Sequence, residues 1–249
     1  MKSILTKKQF LIISISLQFP YVLCYNVPCG FCLFLTKPAV AHEKITKQKK
    51  YLPAKEQDSM SLYADIKNYP PANEQEARDK EQMLFYMKHN TDYLFRENQT
   101  AHFTASAWTV NKECTKTLMV YHNIYHSWSW IGGHADGEEN LRLVAMRELQ
   151  EETGVKNAIL VNPEIFSLEL LTVNGHIRKG IYVPGHLHMN VTYLAEADEN
   201  ETLTVNEAEN QAVKWWTFED ALKVSEGPWF VEWIYKKLIA KCRQKTVTY

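Results

Sequence analysis

The chain has few cysteines, no excess of charge of either sign, no internal repeat and no low-complexity tract. Its five cysteines are Cys24, Cys29, Cys32, Cys114 and Cys242. An odd set with three members in one short stretch does not make a disulfide framework. Cys29 and Cys32 have C-x-x-C spacing, but their neighbours are apolar and no second ligand pair lies near. Buried or lipid-facing thiols are the plainer reading than zinc or redox chemistry. A formal net charge of −1 gives no broad electrostatic surface for a nucleic-acid polymer.

Aromatic residues are plentiful. Seven Trp and thirteen Tyr point to a packed globular domain rather than disorder. At 249 residues, one domain plus an appendage is expected, and the core needs neither disulfides nor metals in order to fold.

The appendage is the N-terminus, residues 1–59. Lys2, Lys7 and Lys8 precede an apolar run from Phe10 to Leu35, interrupted by Pro20, Asn26, Pro28 and Gly30. Three readings stand. Ala39-Val40-Ala41 resembles a signal-peptidase site, although the run lies far upstream of it. The length would admit a membrane helix, against which the prolines count. Alternatively, translation starts at Met60. The expected location is accordingly the cytoplasm, or outside it or at a membrane if the segment is a true signal. His42 to Asp58 is polar and lysine-rich and reads as a linker.

Residues 60–99 read as a helical segment. Pro70-Pro71-Ala72-Asn73 is a helix start, and Met83, Leu84, Tyr86 and Met87 give an apolar face running to about Lys88, for core packing or dimer contact. Residues 100–249 read as strands mixed with a few helices. Ala101–Val110 and Lys116–Tyr125 form a hairpin across a polar turn. Strand material follows at Ile159–Val173, His186–Ala197 and Ala212–Thr217. Phe218–Lys223 and Trp229–Lys241 are helical, the latter with Phe230, Trp233, Ile234 and Leu238 on one face. An α/β or α+β sandwich is implied.

The informative stretch begins at Gly132-Gly133, where the backbone can turn unusually. Asp136 and Glu139 are spaced like a capping box, and Gly154 suits a left-handed C-terminal cap. In the helix between them Glu148, Glu151 and Glu152 stand at i, i+3 and i+4, so they share one stripe. Like charges so placed repel by a few tenths of a kcal/mol per pair. A divalent cation over them would remove that cost, and magnesium prefers carboxylate oxygens and bridges to phosphates. Leu141, Ala145 and Leu149 form an adjacent stripe that can pack on a sheet. The plainer reading of the glutamates alone is a solvated helix face.

The full spacing favours the metal. It matches G-x5-E-x7-R-E-U-x-E-E-x-G-U, with U a bulky aliphatic, at Gly133, Glu139, Arg147, Glu148, Leu149, Glu151, Glu152, Gly154 and Val155. This is the Nudix box, and the chain resembles the Nudix hydrolase family over about Thr100 to Lys223. The resemblance implies an α/β/α sandwich with a mixed β-sheet. It implies a small-molecule substrate and hydrolysis of the diphosphate linkage in a nucleoside diphosphate joined to another moiety. It further implies Mg2+, with Mn2+ able to substitute. Glu151 and Glu152 would be the main ligands, Glu148 a third ligand or bridge, the Gly133 carbonyl a further one, and Arg147 would orient the glutamates. The general base would be a box glutamate or an acid on a later loop, with Glu209 first and Glu207 as alternate. Glu139 is already explained by capping. A homodimer is compatible with all of this.

Other residues have weaker claims. His186 and His188 share a strand face and could line the substrate pocket or bind a metal. His134 could touch phosphate or simply shape its loop. Trp128 or Trp130 could stack on a base, with burial the plainer role. Arg178 and Lys179, on an expected loop, could meet phosphates. Loops 174–185 and 199–211 would set specificity. The rivals are an isopentenyl-diphosphate-type isomerase, for which Cys114 is the only nearby cysteine and falls in a turn, and a non-catalytic nucleotide sensor, against which the intact glutamates count.

Overall fold

The computed structural model describes residues 61–246, apart from Lys179 and Glu226. The N-terminal extension, with its three cysteines and its signal-like or membrane-like run, lies outside the described residues, as does Lys179.

The described chain opens with α1 (Leu62–Asn68) and α2 (Glu74–His89), then β1 (Ala101–Val110) and β2 (Lys116–His122). Asn73 caps α2 by accepting from the Glu76 N–H at 2.9 Å, as a helix-start asparagine should. Leu62 and Ile66 from α1 and Met83 and Met87 from α2 enter the same core as the sheet. The turn after β1 is held by Asn111, whose Oδ1 accepts the N–H groups of Thr115 and Lys116, both at 2.9 Å. β2 ends at His122, three residues short of expectation. His122 Nδ1 accepts the Ile124 N–H at 3.1 Å and turns the chain early.

Next come β3 (Ser127–Ser129), β4 (Ile131–His134) and α3 (Leu141–Thr153). The expected capping box does not form. Asp136 takes a left-handed φ of 48° and is held by Arg96, and the residue that starts α3 is Asn140, without a side-chain cap. Glu139 instead accepts the Leu62 N–H at 3.3 Å, serving the first turn of α1. Gly154 does end α3 in the left-handed conformation, with φ 74°. Leu141, Val144, Ala145 and Leu149 are essentially fully buried against the sheet. The three larger side chains each contribute roughly 1.5–3 kcal/mol.

The chain continues through β5 (Ile159–Leu160), β6 (Ser167–Val173), the small hairpin β7 (His176–Arg178) and β8 (Ile181–Val183), β9 (His186–Glu196) and β10 (Asn210–Thr217). So 174–185 is a hairpin rather than a plain loop. β9 runs parallel to β1 along its whole length and antiparallel to β6; β4 pairs antiparallel with the middle of β1, and β2 carries β10 and β3. β1 meets β2 only near Val110, so the expected hairpin diverges at once and β4 fills the gap. The result is a curled mixed sheet with helices on its faces, the α/β arrangement that the sequence implies.

The chain closes with α4 (Phe218–Val224), a π-helical turn at Phe230–Tyr235 and α5 (Lys236–Thr246). Ile234 and Leu238 are buried as expected, but Trp233 is 49 % exposed, because the wide π turn takes it off the buried face. Among the described residues no helix is long and apolar enough to cross a membrane.

The face of the sheet under α2 and α5 is polar. Glu76 is fully buried and accepts from Tyr69 Oη (2.7 Å), the Ala72 N–H (2.7 Å), Ser167 Oγ (2.8 Å) and Lys241 Nζ (3.0 Å). Lys237 Nζ bridges Glu76 and Glu169, at 3.3 and 3.1 Å. Glu169 in turn accepts from Asn190 and Thr192, each at 2.9 Å, and Asn190 Oδ1 accepts from Thr104 (3.0 Å) and Ser106 (2.8 Å). A continuous network therefore runs from α5 across β6 and β9 to β1.

Candidate functional site

β4 brings its glycines against the C-terminal half of α3. Antiparallel pairing sets Gly132 opposite Ser106 and Gly133 opposite Ala105. A Cβ at Gly133 would lie 2.4 Å from the Glu148 carboxyl carbon, and one at Gly132 would meet Ser106 Oγ at 2.3 Å. The two glycines are thus fixed by close approach: one lets the sheet close, the other leaves room for a carboxylate. Gly133→Ala should displace Glu148 with little change in melting temperature, since a flexible side-chain end can move. Activity should fall roughly 10–100-fold. Paired kinetics and thermal melts check this; unaltered kcat/KM would show that Glu148 need not sit over Gly133.

The three glutamates of α3 differ in environment. Glu151 is exposed. The Glu148 side chain is only 15 % exposed and receives Arg147 Nη2 at 3.0 Å, while Arg147 Nε lies 4.0 Å from Glu151. Glu152 is 4 % exposed; its Oε1 accepts the Gly132 N–H at 3.2 Å and its Oε2 accepts Asn210 Nδ2 at 2.8 Å. Burial raises the Glu148 carboxyl, Arg147 opposes this, and Glu151 and Glu209 add to it. Burial pushes the Glu152 carboxyl up to about 8; Asn210 and the Gly132 N–H pull it down, and the charges of Glu148 and Glu209 push it further up. Carboxyls so placed would give up their protons if a cation bound between them.

Glu209 is exposed, just before β10, and its charge is felt at both Glu148 and Glu152. Its backbone carbonyl accepts the Asn123 N–H at 2.9 Å, tying its loop to the end of β2. Glu207 is also exposed, and its carbonyl accepts from the Asn123 side chain at 3.2 Å. Asn210 was not legible as a site residue. Nothing local distinguishes it, and its link to Glu152 spans 58 positions.

The histidines lie elsewhere. His134 is set opposite Thr104, so alternation turns it to the other face of β4 from the side on which Glu148 covers Gly133. There it meets His102 and His188, with ring centroids 5.1 and 4.9 Å away, and His186 lies 5.0 Å from His188. Trp130 is buried against Tyr235, and Trp128 packs edge-on to Trp216. Arg178 is exposed on the β7–β8 hairpin. Cys114 stays in the β1–β2 turn with φ 51°. A hollow of about 460 Å³ between Glu113 and Asp198 takes in Glu199 and Asn200, from the start of the 199–211 loop, and none of the glutamates or histidines above.

An acidic helix thus lies over a glycine-containing strand of a mixed sheet, with Glu148 and Glu152 held against β4. The NUDIX domain model matches residues 100–238. The chain belongs to the NUDIX family of hydrolases, which act on nucleoside diphosphates linked to other moieties. Solved structures similar to it include an Ap4A hydrolase from C. elegans in a binary complex, at 20 % identity and TM-score 0.44, covering 59 % of this chain and 98 % of that one. A NUDIX-family hydrolase from Clostridium perfringens is 24 % identical with TM-score 0.40, over 55 % of this chain and 95 % of that one. The MutT protein from Bacillus halodurans is 18 % identical with TM-score 0.37, over 55 % and 81 %. Among curated proteins nothing matches significantly.

Proposed function

We propose that this chain is a Mg2+-dependent hydrolase that cleaves the diphosphate linkage of a small nucleoside diphosphate derivative. The observation that carries the reading is the carboxylate cluster of α3, three glutamates on one turn with the charge of Glu209 acting on two of them. The donors are all oxygen, which suits magnesium and not a softer metal. The buried Asn210 Oδ1, without a partner, is one more acceptor beside them.

Glu148, Glu151 and Glu152, with the Gly133 carbonyl, would hold the ion. Bound there, magnesium would neutralise diphosphate charge and lower the pKa of a bound water. The chain's own groups do the rest. Arg147 positions Glu148 and Glu151 with its planar fork. Asn210 and the Gly132 N–H hold the Glu152 carboxylate in one orientation. Glu209, exposed to solvent and next to this cluster, takes the proton of the attacking water.

The test is a panel of nucleoside diphosphate derivatives given to the full chain with and without magnesium, with products resolved by chromatography. Magnesium-dependent cleavage of one class is the expected result and names the substrate. A folded chain that cleaves none of a broad panel, or cleaves equally well without metal, overturns the reading.

A further inference from the structure

His102 lies near the start of β1, His186 and His188 open β9, and the parallel register sets His102 opposite His188. One ring nitrogen from each of the three lies within 4.8 Å of the other two. His186 Nε2 and His188 Nε2 are 3.2 Å apart. His134 walls the cluster on the β4 side.

The hydrogen bonds fix two tautomers. His102 Nδ1 lies 2.9 Å from the Asn98 carbonyl, and His186 Nδ1 lies 2.9 Å from the Pro184 carbonyl. A carbonyl only accepts, so each Nδ1 carries the hydrogen and each neutral ring keeps a lone pair on Nε2. In the metal-free protein His188 can donate to His186. His102 Nε2 is left buried with no partner. An unmet buried acceptor of this kind costs about 1–3 kcal/mol.

A metal ion resolves all three nitrogens at once. Two imidazoles bound tetrahedrally at ~2.0–2.1 Å place their ligating atoms about 3.3 Å apart. The 3.2 Å between His186 and His188 fits that spacing without rearrangement. Donation of the other ring N–H to a backbone carbonyl is also the outer bond that metal-bound histidines make. Three imidazoles and no carboxylate select zinc and its neighbours over magnesium or calcium.

We propose that His102, His186 and His188 form a binding site for a single transition-metal ion of the Zn2+ class, on the opposite face of the sheet from the glutamates of α3. Burial holds the His102 imidazole below its usual range and His188 down at about 2, so protons do not compete for these rings at neutral pH. The ion would pin the start of β1 to the start of β9, where the β7–β8 hairpin feeds into the sheet.

Titrating the metal-stripped full chain with Co2+ and then Zn2+ tests this. Expected are tetrahedral d–d bands that grow in as a single site fills, no thiolate charge-transfer band, and loss of those bands on displacement by Zn2+. His186→Ala and His188→Ala should each lower affinity by more than about 100-fold, beyond the effect of losing an outer partner. Glu151→Gln should give the same tetrahedral Co2+ bands as the parent. His186 is half-exposed at the strand start, so its variant keeps a folded reference if His188→Ala does not fold. The proposal is overturned by the absence of tetrahedral Co2+ bands, by bands of unchanged affinity in the histidine variants, by a thiolate band reporting a cysteine site, or by loss of the tetrahedral bands in Glu151→Gln.

Discussion

Glu152→Gln is expected to reduce magnesium-dependent turnover by about 10³-fold or more, while the metal-free variant melts at or above the parent's temperature at pH 8. Both halves follow from the burial of this carboxyl. The folded group titrates near 8 instead of its usual 4.5. Between those values the native state keeps a proton that the unfolded chain has released, so stability is full below about 4.5 and falls as pH rises towards 8. The loss is on the order of a few kcal/mol. Glutamine is neutral throughout and flattens the decline. Its geometry also fits: Oε1 can still accept the Gly132 N–H, and Nε2 can donate to Asn210 Oδ1 once that amide turns over, pairing an atom that otherwise lacks a partner. Magnesium should raise the melting temperature of the parent at pH 8 and leave the variant unmoved. Melting curves across pH with and without the ion, alongside kcat, decide it; a variant that retains turnover within about tenfold removes Glu152 from the metal site.

The part of the site carried on one helix was open to sequence reasoning because its determinants are local. Glutamates at i, i+3 and i+4 must share a face, and glycine after Thr153 must end the helix. The strands at Ala101–Val110 and His186–Glu196 were legible for the same reason. What failed depended on partners distant in the chain. Asp136 and Glu139 have capping-box spacing, yet Arg96 and Leu62, 40 and 77 positions away, claim them. His186 and His188 could be placed on one face by alternation. That His102 completes their cluster follows only from the parallel pairing of β1 with β9, which no local pattern encodes. The same holds for Glu76. In the sequence it is one acid in the first turn of a surface-like helix, and in the fold it is wholly buried.

That burial sets the largest stability effect expected in the protein: Glu76→Ala should lose roughly 3–5 kcal/mol. Removing one member of a buried ion cluster leaves charge without compensation. Lys237 would keep Glu169, but Lys241 would keep only the Tyr69 hydroxyl, the Ala72 N–H would lose its acceptor, and Tyr69 and Ser167 would fall back on the Phe166 carbonyl and Glu169. Burial alone would raise the Glu76 carboxyl; Lys237, the Ala72 N–H, Lys241 and Tyr69 outweigh it and hold the group at about 2. Its contribution is therefore complete above about 4.5 and lost as pH falls towards 2. Urea midpoints should show a gap between parent and Glu76→Ala that is full at neutral pH and narrows in acid. The charge-balanced pair Glu76→Met with Lys241→Met should be less destabilised than the sum of its single variants, because Lys237 and Glu169 then remain as a neutral pair. Strict additivity would mean that the two charges do not act on one another, and that α5 is held to β6 through Lys237 and its apolar contacts rather than through Lys241.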